Sequence, residues 1–305
     1  MPMMDDGHRA TLPVNAPYDW AALVAFLAAR AIPGVEVVEA DRYRRTLCRG
    51  GRHGAVTIEP GESELRVFLD LPDRDGRAAI LARLAALFDT LADPGPIAAR
   101  LAVDPALAPL VKARPGLRVP GAFDGFEMAV RAILGQQVSV AAATGLAGRL
   151  VAAFGTPLAS AVATRAVGLT HLFPNPEVLA GADVAAALNM PRARGRAISA
   201  LAAAVLREPD LFAEGQGLEA ALARLTALPG IGPWTAQYIA MRALREPDAL
   251  PVGDIGLLRA LDRGRGRPSP AALLAQAEGW RPWRAYAALH LWTGDAARIA
   301  EQGAG

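Results

Sequence analysis

The 305-residue chain has a single cysteine, Cys48. One cysteine excludes a disulfide framework within one molecule and a four-cysteine iron–sulfur cluster. Lysine is as scarce. Lys112 is the sole lysine among 32 basic residues, so chemistry through a side-chain amine has one candidate. No run of about 18 uncharged apolar residues occurs, and no membrane-spanning helix is expected. The four histidines, His8, His53, His171 and His290, are scattered, and no His, Cys, Asp and Glu cluster has transition-metal spacing. The opening MPMMDDGHRATLP has two acids and no apolar stretch, which argues against a secretory signal and makes the cytoplasm the expected compartment.

What is present is ample apolar material. Apolar residues make up 52% and charged residues 20%, enough for a sizeable core, and the length suits two domains or three small ones. The formal net charge is only +2, but it is unevenly spread. Residues 1–112 hold 13 basic and 15 acidic side chains, whereas residues 113–305 hold 19 and 15. The second part is therefore the more attractive to a polyanion.

Hydrophobic periodicity also divides the chain. Residues 1–15 read as a tail. Trp20, Leu23, Phe26 and Leu27 form one stripe of a helix over Tyr18–Arg30. Short alternating segments follow at Val35–Val38, Tyr43–Cys48, Ala55–Ile58 and Leu65–Leu69, punctuated by Gly50-Gly51 and Pro60-Gly61. Ile80, Leu84, Leu87 and Phe88 mark a helix over Arg77–Leu91. The pattern predicts an α+β fold: a small antiparallel α+β domain over 16–93, a break at Asp93-Pro94-Gly95-Pro96, an all-helical region over 94–296 and a tail at 297–305. Helices are expected over Ala122–Leu134, Val138–Phe154, Asp183–Leu188, Arg192–Leu206, Leu218–Leu225, Pro233–Arg245, Ile255–Leu261, Pro270–Glu278 and Pro282–Thr293.

Two segments carry chemistry. Leu228-Pro229-Gly230-Ile231-Gly232-Pro233-Trp234-Thr235-Ala236 lies between two apolar helical stretches. Its glycines permit positive φ, Ile231 can turn into the core, and Pro233 suits the first position of a helix. Backbone N–H groups at that helix start offer an anion site for one DNA phosphate, though an ordinary glycine turn between helices has the same pattern. Twenty residues past Trp234, Asp254 stands in Pro251-Val252-Gly253-Asp254-Ile255-Gly256-Leu257, just before another helix. A capping role explains an aspartate there, and a cap at the mouth of a cleft can also act on a substrate.

Taken together, these segments resemble the helix–hairpin–helix (HhH-GPD) DNA glycosylase superfamily, and within it the AlkA-type 3-methyladenine DNA glycosylases. Pro17-Tyr18-Asp19-Trp20, Phe26–Ala31, Arg114–Arg118, Arg131–Gln136 and Trp280–Arg284 through Trp292 are similar as well, so the likeness runs from Pro17 to Thr293. It implies a catalytic carboxylate at Asp254, neither neighbouring acid, Asp248 nor Asp262, being at the motif position. It implies a cleft for a flipped base formed by Phe26, Trp234, Tyr238 and Trp292. Core packing is the alternative for each of these aromatics, and Trp20, Trp280 and Trp283 are assigned to packing. DNA contacts would fall to Gly230, Gly232, Thr235, Gln136 and Gln137, and to Arg192, Arg194 and Arg196, with Arg242 and Arg245 as weaker candidates. The carbonyls of Thr226, Leu228 and Ile231 would hold a structural Na+ or K+; no other cofactor is implied. The partner would be duplex DNA with alkylated bases, with no membrane, no obligate protein partner and a monomeric state.

Two departures stand out. Gln137 occupies the place of an apolar wedge residue, and Thr293 that of a second aromatic. Lyase-active relatives carry a nucleophilic lysine where this chain has Trp234. The implied activity is monofunctional: water attacks and an abasic site remains. A non-catalytic helix–hairpin–helix module leaves Asp254 and the aromatic set unexplained, and a glycosylase/lyase for oxidised bases lacks its amine. Borohydride added during incubation with damaged duplex DNA should trap no covalent protein–DNA adduct; a trapped band on a denaturing gel would reinstate the lyase.

Overall fold

The computed structural model describes residues 9–39, 41–71, 76–163, 166–262, 264 and 266–303. His8 lies outside them. The first part of the chain runs β1 (Arg9–Pro13), α1 (Trp20–Ala28), β2 (Glu36–Glu39), β3 (Arg42–Arg49), β4 (Arg52–Pro60), β5 (Glu64–Asp70) and α2 (Arg77–Phe88). The strands form one antiparallel sheet in the order β1-β5-β4-β3-β2. Gly50 and Gly51 join β3 to β4 with φ of 54° and 74°, which a two-residue hairpin favours and side-chain-bearing residues resist. Leu65, Val67 and Leu69 alternate inward on β5. They meet Trp20, Leu23 and Leu27 of α1 and Ile80, Leu84 and Phe88 of α2 in one core.

The helical part follows: α3 (Pro94–Leu101), α4 (Ala108–Ala113), α5 (Gly125–Leu134), α6 (Val140–Phe154), the ribbon β6 (Thr156–Pro157) and β7 (His171–Leu172) enclosing α7 (Ser160–Ala163), then α8 (Pro176–Ala180), α9 (Val184–Leu188), α10 (Arg192–Arg207), α11 (Leu218–Thr226), α12 (Pro233–Ala243), α13 (Ile255–Ala260), α14 (Pro270–Ala277) and α15 (Arg284–Gly303). Side chains from α3 to α15 share a second, larger core. The α+β reading thus holds.

Three expectations are corrected. Residues 9–13 are a strand and not a tail: β1 pairs with β5 and sets Leu12 opposite Leu65. Five residues with one buried side chain give almost no periodic signal; the ladder, not the pattern, makes the strand. The break at 93–96 opens a helix, because the Asp93 carboxylate accepts from Gly95 N (2.9 Å) and Pro94 takes the first position. Residues 297–303 continue α15, so the expected tail is helical there. The short helices α4, α7 and α8 and the ribbon are too brief to show a period.

Sheet and helices are joined by buried charge. Arg45 of β3 donates to Glu127 of α5 (2.7 Å), and Arg131, one turn along α5, bonds both Glu127 (2.6 Å) and Glu36 of β2. Tyr43 donates to Glu36 (2.6 Å). Burial pushes the Glu36 carboxyl up, but the Arg131 and Arg45 guanidiniums outweigh it and hold it below the ordinary glutamate value. Arg131 also donates to the Arg30 carbonyl (3.1 Å), just past α1.

His290 on α15 is buried without a partner charge, and burial lowers its pKa from 6.5 to about 4. The unfolded chain therefore binds a proton that the folded chain refuses between those values. Stability is full above pH 6.5 and declines as pH falls toward 4, by about 3 kcal/mol for this one group. Urea unfolding at pH 7.5 and 4.5 should show a smaller acid loss in His290→Gln than in wild type. Equal losses would remove His290 as a cause.

Candidate active site

The hairpin comes first. α11 ends at Thr226, and Gly230 turns the chain with φ of 81°. A Cβ on Gly230 would lie 2.5 Å from the Cβ of Ala197 on α10, so only glycine lets the turn seat there. Gly232 differs from the expectation of positive φ: it is extended (φ −83°, ψ 174°) and precedes Pro233 at the start of α12. Ile231 is buried in the helical core, and Gly230 and Gly232 are exposed. The exposed face of the turn is thus backbone.

Beside it lies the turn between α5 and α6. Gln136 Nε2 donates to the Gly230 carbonyl (2.9 Å) and to Thr235 Oγ1 (3.1 Å). Arg194 Nη2 donates to the Gln136 carbonyl (2.8 Å). Gln136, buried Thr235 and Arg194 therefore brace two loops together. Gln137 is exposed at the tip with φ of 57°, a left-handed conformation uncommon outside glycine and asparagine. Val138 (37% exposed) and Val140 (42%) flank it, an apolar signal that the sequence reading passed over. Arg192 and Arg196 are exposed, four residues apart on one face of α10.

The cleft follows from the first turns of α12 and α13. Trp234 and Tyr238, one turn apart on α12, stack with ring centroids 5.4 Å apart and planes 7° apart. Trp292 of α15 stands edge-on to Tyr238 at 6.4 Å. Asp254 caps α13, its Oδ1 accepting from Leu257 N (3.1 Å). The same oxygen accepts from Trp292 Nε1 (2.8 Å), and Oδ2 accepts from Trp234 Nε1 (3.2 Å). An ionised carboxylate offers about four acceptor positions, and these three bonds leave one on Oδ2. Gly256 makes the arrangement fit: a Cβ there would lie 3.0 Å from Asp254 Oδ1 and 3.1 Å from Trp292 Cδ1.

The opposite end of the cleft is cationic, which the sequence did not disclose. Arg30 lies over the Phe26 ring at 3.6 Å and Arg242 at 4.7 Å. Arg242 is buried, donating to the Pro120 and Gly121 carbonyls and to the Tyr238 hydroxyl (2.8 Å). It is a wall residue and not a phosphate contact. Burial raises the Tyr238 phenol, but Arg242 and Arg30 outweigh it and hold the phenol below its ordinary pKa. Arg245, also expected at DNA, pairs with buried Asp89 (3.2 Å). Asp248 is bound by Arg284 and Arg281, and Asp262 by its own turn, so neither competes with Asp254. Trp20 and Trp280 are buried, donating to Asp41 and Asp104, and Trp283 packs edge-on to Tyr286, as assigned. Among the described residues no group of three His, Cys, Asp or Glu could hold a metal ion. No helix among them is long and apolar enough to cross a membrane.

A glycine turn between two helices, with an aspartate at the head of the next short helix, defines a helix–hairpin–helix protein. The sequence model of the AlkA N-terminal domain matches residues 9–124, and that of the HhH-GPD superfamily base excision DNA repair proteins matches residues 130–285. The chain belongs to the HhH-GPD superfamily. It is 39% identical over 286 residues to the DNA-3-methyladenine glycosylase 2 of Escherichia coli K12, covering 92% of this chain and 96% of that protein. It is 44% identical over 283 residues to a probable bifunctional transcriptional activator/DNA repair enzyme AlkA of Mycobacterium tuberculosis, but spans only 56% of that protein's length. In fold it is similar to a 3-methyladenine DNA-glycosylase from Archaeoglobus fulgidus (TM-score 0.79, 24% identity, 94% and 98% of the two chains covered).

Gly256→Ala should push the Trp292 indole from Asp254 and cost about 1–3 kcal/mol of stability by overpacking. Gly279→Ala, with open space around its Cβ and helical backbone, should be neutral or slightly stabilising in the same urea titration. Equal stability of both variants would show that the indole yields without loss.

Proposed function

We propose that the chain is a monofunctional DNA glycosylase of base excision repair, which flips alkylated purines such as 3-methyladenine out of duplex DNA and hydrolyses their N-glycosidic bond. The observation that carries this reading is the Asp254 carboxylate, held by two indoles and one amide at the edge of an aromatic cleft beside the hairpin. Breaking the bond sends its electron pair out with the base and leaves positive charge on the deoxyribose. A fixed carboxylate stabilises that charge, more strongly where bound DNA excludes water. Water adds at the sugar carbon and loses its proton; the open acceptor position on Asp254 Oδ2 is suited to receive it. An alkylated cationic base leaves as a neutral molecule, so no acid is needed on the base side.

The cleft supports the substrate class. Electron-rich faces of Trp234, Tyr238 and Trp292 attract a cationic base by about 0.5–2 kcal/mol more than a neutral one. Phe26, with guanidiniums on its ring, closes the cleft and leaves stacking to the other three. The hairpin amides and Arg192 and Arg196 would grip phosphates, Gln137 with Val138 would fill the gap left by the flipped base, and Gln136, Thr235 and Arg194 would keep these loops in register. Thr226 ends α11, and Leu228 and Ile231 lie in the turn after it, where the helix dipole is negative; the Leu228 carbonyl accepts from Ile231 N (3.2 Å) and keeps a second lone pair. Hard neutral oxygens there fit a monovalent cation. We place the domain boundaries at 9–93, taking in β1, and 94–303, taking in all of α15, the protein in the cytoplasm at the nucleoid, and its working state as a monomer.

Wild type should release bases from methylated duplex DNA, with strand breaks only after alkali. Asp254→Asn should release them at least 100-fold more slowly, a loss typical of a missing transition-state charge partner, while binding the same DNA. Equal release by both would remove Asp254 from the mechanism. Release by neither, with DNA binding intact, would favour a binding module.

A further inference from the structure

The helix that carries Asp254 is too short to aim it. α13 has six residues, and Leu257 is its buried apolar side chain. A helix of that length is unstable alone, and its axis is set by what grips it. Leu258, Ala260 and Leu261 add partly buried apolar contacts to the same core, but apolar packing is non-directional and sets a distance better than an axis.

Two cross-links tie α13 to α15. At the head, Trp292 Nε1 donates to Asp254 Oδ1 at 2.8 Å. At the far end, Arg259 donates to both oxygens of Asp295, through Nε at 3.0 and 2.9 Å and Nη2 at 2.5 Å. Asp295 follows Trp292 by three residues, so both project from one side of α15. Arg298 completes the joint, donating to Asp295 Oδ1 (2.9 Å) and to the Arg259 carbonyl (2.9 Å) at the C-terminal end of α13. The Asp295 side chain is 4% exposed and Arg259 38%. A forked guanidinium–carboxylate pair constrains direction as well as distance. Two attachment points one turn apart on α15 therefore fix the axis that apolar packing alone sets only loosely.

We propose that the Arg259–Asp295 pair is the positioning element for Asp254, locking the axis of α13 to α15 so that the carboxylate meets Trp292 and turns its open acceptor position toward the sugar. Neither residue touches the reacting atoms; both act through α13. The inference rests on Asp254 being the catalytic carboxylate. It differs from a phosphate-contact role for Arg259, which would change DNA affinity and be indifferent to Asp295.

The test compares single-turnover base release and DNA affinity on one methylated duplex for the full-length wild type, Asp254→Asn, Arg259→Gln, Asp295→Asn and the double variant Arg259→Gln/Asp295→Asn. Each clamp variant should release base about 10- to 100-fold more slowly, the scale expected of ångström misplacement, with Kd within about threefold of wild type. The double variant should be no slower than the worse single, because both remove one contact. Arg259→Gln alters the more exposed partner, so it decides alone if Asp295→Asn does not fold. Wild-type rates in the clamp variants with an inactive Asp254→Asn would overturn the clamp alone. A weakened Kd at unchanged rate, or multiplicative losses in the double variant, would overturn it too. A wild-type rate in Asp254→Asn would overturn the underlying reading and the clamp with it.

Discussion

Four charges, three of them buried and Arg131 half-buried, hold the molecule's two layers in register. Glu36 and Arg45 come from the sheet, Glu127 and Arg131 from α5, and each acid meets both bases. Removing one member would strand its partner in a dry interior, at about 3–5 kcal/mol. The network reaches the cleft by two short routes. Arg131 holds the Arg30 carbonyl, at the end of the helix that carries Phe26. α5 itself runs into the Gln136-Gln137 turn. The N-terminal sheet thus sets one wall of the cleft without contributing a strand to it.

The cleft places opposite charges at its two ends. Asp254 stands at one, and Arg30 and Arg242 at the other, with the aromatic rings between them. Three rings have a polar tie, the two indoles to the carboxylate and the phenol to a guanidinium, and Phe26 is held by the guanidiniums on its face. Such rings keep their orientation, so less ordering would remain to be done on binding a base. Asp254 has three partners, and its helix-capping bond is one of them. The cap and the proposed catalytic group are the same atoms, so a residue with an ordinary structural role is also placed to carry chemistry.

The loops proposed to face DNA form one unit for a related reason. Gln136 joins the α5–α6 turn to the hairpin through the Gly230 carbonyl and Thr235, and Arg194 joins α10 to the same turn. The element that would fill the duplex gap and the element that would hold a phosphate therefore keep a fixed spacing. Backbone carbonyls do most of this bracing, and they look alike in any sequence.

The sequence alone determined much of this. Helical and strand periods placed the long elements to within a few residues, because a 3.6- or 2-residue repeat of apolar side chains is a local property. The glycine turn, Pro233 and Asp254 were legible for the same reason: turn, helix start and cap are each written within four residues. The segment at 9–13 was not, since an edge strand exists only through its partner, and the helical continuation at 297–303 lay beyond the reach of the period. The cleft divides in the same way. Trp234, Tyr238 and Asp254 could be named through the resemblance that their motifs carry, but Arg242 read as a weaker DNA contact until folding buried it, and Gln136 gave no sign that it would join two loops. Only the tertiary structure decided that Arg30 and Arg242 cap Phe26, that Gly256 makes room for Trp292, and that Arg259 reaches Asp295. Those contacts join residues up to 216 positions apart, and no local pattern encodes a distance between helices.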